Sequence, residues 1–91
     1  FEAEVREFAD ELEELEKKLV ETVEKAVEHI KQTRRGNAEK AYAELRRFVE
    51  EDVRRAMERV LSIRNALVGL PFIWHRVDEV VHRASRAIPQ A

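Results

Sequence analysis

The chain has 91 residues, 40% of them charged, with a net charge of −2, 2 Gly, 2 Pro and no Cys. This excludes a disulfide-stapled fold, a Cys-ligated metal centre and a cysteine nucleophile, and the length allows one small domain, residues 1–91, around one modest core. No apolar run nears the roughly 18 residues of a membrane span and Phe1 to Arg6 form no signal segment, so the chain reads as soluble, without a membrane partner, and compatible with the cytoplasm.

Glycine and proline fall only where helices should meet. Phe1, Val5, Phe8, Leu12, Leu15, Leu19, Val23, Ala26 and Ile30 recur by threes and fours, the stripe of a bundle helix over about 2–35. Gly36 then ends that helix and Asn37 caps the next, with Glu39 in its first turn. The second helix, about 38–68, stops at Gly69, Leu70 and Pro71, and Pro89 stops a third helix over about 71–88. Ile73, Trp74, Val77, Val80, Val81, Ala84, Ala87 and Ile88 give that helix a broad apolar face. The expected fold is all-α, an up-down-up antiparallel three-helix bundle with a short third helix.

The short third helix predicts an open surface. At about 1.5 Å per residue it rises roughly 27 Å, about half the length of its neighbours. In the second helix Val53, Met57, Leu61 and Val68 make the flank apolar only where the third helix reaches, while Glu39, Ala43, Arg46 and Glu50 hold the same flank higher up. Above that point Val23, Val27, Ile30, Leu45, Phe48 and Val49 are expected to face no third helix, as an interface for a second copy or a protein partner. Trp74 is either an interface anchor or the closure of the core against Leu67 and Leu70, the reading its position favours.

One acid is out of place. On a helix of 3.6 residues per turn Asp52 shares the stripe of Leu45, Val49, Ala56, Val60, Ile63 and Leu67. Glu16, on the margin of the first helix's stripe, should stand at a similar height, with the small residues Ala56 and Ala84 just below. Together Asp52, Glu16, Ala56 and Ala84 could outline a pocket for a small cationic molecule, or Asp52 could serve as a weak candidate general base. The structural alternative, the favoured one, pairs Asp52 with Arg55, Arg59 or Arg83 at the core margin.

Other chemistry is scarce. There is no phosphate loop, and Ser62 and Ser85 have no triad partners, so an enzyme is the less expected reading and no cofactor is implied. His75, Glu79 and His82 lie together on the third helix, but His82 stands about 10.5 Å from His75 along the axis, and no metal site is expected. Residues 1–28 carry 11 acids against 4 bases and residues 29–91 carry 8 against 13. Internal pairing of helices explains this split. Arg46, Arg47, Arg54, Arg55, Arg59 and Arg64 scatter around their helix among acids, so no nucleic-acid partner is expected.

Acids precede bases by four residues at Glu2 and Arg6, Glu13 and Lys17, Glu14 and Lys18, Glu21 and Lys25, Glu50 and Arg54, Glu51 and Arg55, and Glu79 and Arg83. With punctuation confined to joints, this regularity resembles de novo designed helical bundles over the whole chain. Separately, Phe1, Val5, Phe8, Ala9, Asp10 and Leu12 resemble the helical death motif by which pro-apoptotic regulators dock into a groove, although each apolar position is also a bundle position. The designed style implies a scaffold acting through an apolar helical surface, by self-association or by gripping a protein. A small-molecule pocket or acid-base catalyst at Asp52 is the alternative.

Overall fold

The computed structural model describes residues 2–68 and 73–90, with 64–68 as backbone only. Every regular element described is helical: α1 (Glu2–Ile30), α2 (Arg35–Arg47), a π-helical segment (Phe48–Val53), α3 (Arg54–Val68) and α4 (Ile73–Arg86). Arg47, Phe48 and Arg54 all keep right-handed helical angles, so α2, the π segment and α3 form one continuous rod. Three rods and no described strand make the protein all-α. The expected joint at Gly69, Leu70 and Pro71, and also Phe1, lie outside the described residues.

Side-chain contacts set the direction of the last helix. Arg46 donates to the Pro89 carbonyl at 2.8 Å, the Ser85 hydroxyl donates to Glu50 at 2.8 Å, and Arg54 pairs with Asp78. Rising numbers on α2 to α3 thus meet falling numbers on α4, and the two run antiparallel. With a four-residue turn reversing α1 into α2, these contacts fit an up-down-up arrangement. The molecule is 51 Å long and 18 by 15 Å across, as expected for helices packed side by side.

The first joint differs from expectation. α1 stops at Ile30, where both the backbone N–H and the hydroxyl of Thr33 donate to the Ile30 carbonyl, at 2.9 and 2.7 Å. Thr33 thereby occupies an acceptor left free at the helix end. Arg34 is extended and α2 begins at Arg35 with no side-chain cap, so Gly36 and Asn37 lie within its first turn rather than between two helices. At the other end α4 tightens after Arg86 through bonds from Ala87 to Ala84 and from Ile88 to Ser85. This turn carries Ile88 into the core and Pro89 up to Arg46.

The π segment determines which residues face the core. An i to i+5 turn inserts one residue into the helix and rotates everything after it by about 100°. Without it, Val49, Ala56, Val60 and Ile63 would stay on one stripe with Asp52. With it, the core-facing row runs Leu45, Val49, Val53, Met57 and Leu61, of which Val49, Met57 and Leu61 are buried. Ala56, Val60 and Ile63 turn outward together, with Val60 63% and Ile63 68% exposed. Asp52 turns out with them and is exposed.

Candidate functional site

Glu16 and Asp52 go to opposite faces of the bundle. Glu16 on α1 is only 6% exposed. Its two carboxylate oxygens accept hydrogen bonds from Arg76 and Arg83, each at 2.6 Å. These arginines are seven residues apart on α4, two turns of one face, so they close on the carboxylate from below and above. Both oxygens are engaged by charged donors, which offsets the cost of burying the acid. A polar cleft of about 370 Å³ follows, lined also by Glu79, His82 and Arg86. Glu16 is thus held by arginines and does not support Asp52.

Asp52 stands instead on an apolar groove of about 500 Å³. Leu15 of α1 forms one wall; Phe48, Val53, Ala56, Met57, Val60 and Leu61 form the floor and the other wall. Three of these residues, Phe48, Asp52 and Val53, belong to the π segment, and Phe48 is 52% exposed. Among the described residues the Asp52 side chain makes no hydrogen bond or ion pair. Its expected partner Arg83 is drawn to Glu16, and the rotation at the π turn moves Asp52 away from α4. The carboxylate is therefore exposed beside apolar surface, without the burial on which the general-base reading depends.

The four residues expected around one pocket divide accordingly. Asp52 and Ala56 line the groove, Glu16 lies in the arginine clasp, and Ala84 is fully buried in the core. The expected open face also moves. Val23, Val27 and Val49 are buried, and Ile30 and Leu45 are half-buried. Ile88 and Pro89 continue upward beyond α4 to the height of Arg46 and extend the third rod's cover along that face. Of that expected set only Phe48 and Trp74 remain exposed. Trp74 is 48% exposed while its neighbours Ile73 and Val77 are buried, and its expected contact with Leu67 and Leu70 lies outside the described residues. Trp74 borders shallow clefts with Arg54, Glu58 and Asp78 on one side and Arg59, Ser62 and Ile63 on the other.

Leu15, Val60 and Arg76 were not singled out by sequence. For Val60 the signal was present as two competing apolar rows on one helix, of which a uniform 3.6-residue period selects the wrong one, whereas Leu15 stands in the one stripe of α1. For Arg76 the signal was its seven-residue spacing from Arg83. The surface pairs spaced by four also rearrange: Arg83 leaves Glu79 for Glu16, and Arg54 leaves the Glu50 carboxylate for Asp78. Phe8 and Leu12 of the death-motif resemblance are buried in the core.

His75 approaches Glu79 at 3.5 Å on the surface, and among the described residues no three metal-ligating side chains gather. No described helix is long and apolar enough to cross a membrane. No family model matches this chain, and neither a curated protein nor a solved structure matches it.

Proposed function

We propose that this chain is a helical scaffold that binds an apolar helical surface in the groove of Leu15, Phe48, Ala56 and Val60. The observation that carries this reading is the double apolar character of α3. One row, Met57 and Leu61, is used by the core; the other, Ala56 and Val60, is turned to solvent and lines the groove with Phe48. A helix apolar on two faces ordinarily has something to cover each. A groove between two helices accepts the ridge of a third by the packing that holds helices together inside a protein. The designed style of the surface, with acids set four residues before bases, agrees with a scaffold role.

A titration with an anilinonaphthalene sulfonate dye tests the groove. The wild-type chain should raise dye fluorescence, and Phe48→Lys with Val60→Lys should remove most of that signal while helicity is kept. At a concentration where the chain is single by mass, a wild-type chain that leaves the dye dark would overturn the reading.

A second reading has one observation in its favour, the Asp52 carboxylate, without an ion-pair partner among the described residues, at the edge of an apolar groove of ligand size. That combination suits a small molecule with an apolar body and an ammonium group. Hexadecyltrimethylammonium below its micelle concentration serves as the probe. Asp52→Asn should weaken its binding several-fold, and equal binding by both proteins would remove this reading.

A further inference from the structure

We propose that the occupant of the groove is a second copy of this chain, docked about a two-fold axis parallel to the bundle, with α1 of each copy lying against α3 of the other. The proposal rests on the groove reading above and adds the identity and orientation of what fills it. The groove is a valley with one wall from each of two helices, so a copy of the same pair can present its own ridges to it. A two-fold contact of that kind uses the same patch on both copies.

Charge selects the orientation. α1 carries 11 acids against 4 bases, whereas residues 35–68 carry 6 acids against 8 bases. Two kinds of two-fold axis lying in the contact plane bring this face against its own image. An axis across the bundle sets α1 on α1, acid against acid. An axis along the bundle sets acidic α1 on the more basic rod of the other copy, which is the complementary choice.

Heights along the bundle carry the match to single residues. Glu16 is held between Arg76 and Arg83, and the same stretch of α4 meets Arg54 through Asp78 and Glu50 through Ser85. Glu16 therefore stands level with residues 50–54. Lys18 lies about 3 Å above it and Glu14 about 3 Å below. About an axis along the bundle these heights are preserved, so Lys18 of one copy comes level with Asp52 of the other, which lines the groove. Asp52, which makes no ion pair among the described residues, gains one across the contact. Leu15, Phe48 and Val60 of both copies close over the apolar centre.

Light scattering or sedimentation over a concentration series tests this with the full chain. The mass should move from 10.7 kDa toward twice that value as concentration rises. Phe48→Lys, at an exposed position, should remain at the single-chain mass throughout with an unchanged helical spectrum. Lys18→Glu and Asp52→Lys should each weaken association by roughly tenfold, and the two together should restore it, since every rim charge counts twice in a two-fold contact. A wild-type chain that stays single at high concentration overturns the proposal. So does a dimer indifferent to Phe48→Lys, an assembly that grows beyond two copies, or a double charge reversal that fails to rescue. Dye binding keeps the two levels apart: a single-chain protein that binds the dye through Phe48 loses the second copy but keeps the groove, and one that binds nothing loses both.

Discussion

The two faces of this bundle at the height of Glu16 and Asp52 treat a carboxylate in opposite ways. On the α4 side Glu16 is buried and both its oxygens are held by arginines. On the groove side Asp52 is exposed at the rim of apolar surface and makes no ion pair among the described residues. Each arrangement balances the electrostatics by a different route. One buries the charge and supplies its partners from within the chain, and the other leaves the charge to water while exposing apolar neighbours. Stability should depend on the first face and binding on the second.

The comparison is most directly broken by deletion of single residues on either side of the π turn. Deleting Glu51 converts the π turn to a regular turn while the core row keeps its phase, and stability should change by only about 1 kcal/mol, since no buried contact is lost. Deleting Glu44 lets the same conversion occur only by turning Leu45 and Val49 off the core. At roughly 1.5 to 3 kcal/mol per buried aliphatic side chain, this should cost about 3 to 6 kcal/mol. Urea unfolding of the two deletions would read this difference directly, and equal losses would contradict the phase argument.

Next in size is the clasp. Replacing Arg76 and Arg83 with Ala leaves Glu16 buried without a counter-charge, and unfolding free energy should fall by about 3 to 5 kcal/mol, toward the lower figure because Arg83 is largely exposed. Close behind, Met57→Ala removes a buried side chain and should cost about 2 kcal/mol or more. Val60→Ala, on the other apolar row of the same helix, should change the single chain by only about 0.5 kcal/mol. Thermal melts at low protein concentration separate that pair. Smallest of all, Asp52→Asn should leave the melt of the dilute chain within about 0.5 kcal/mol, and a larger loss would place Asp52 in a structural role.

Much of the fold was legible because its signals are local. The stripe of α1, the broad face of α4 from Ile73 to Ala84, and the proline that stops the last helix are each read within a few turns. The first joint was read three to five residues late because Gly36 and Asn37 resemble a stop and a cap, while the hydrogen bonds of Thr33 to Ile30 end the helix sooner. The candidate site was less legible. Asp52 was found, but through a stripe that the folded chain does not keep.

By itself the sequence determined an all-helical chain with two apolar rows on its longest helix, since composition and spacing are properties of neighbouring residues. It also determined that one of those rows contains an acid. Which row faces the core was decided only in three dimensions. α1 and α4 pack around Val49, Met57 and Leu61, and a single π turn brings these onto one face. That same rotation carries Asp52, Ala56 and Val60 to the outside, where they meet Leu15 from a helix distant in sequence. No local pattern contains that meeting, because it depends on how far the helix has turned by the time the two come level.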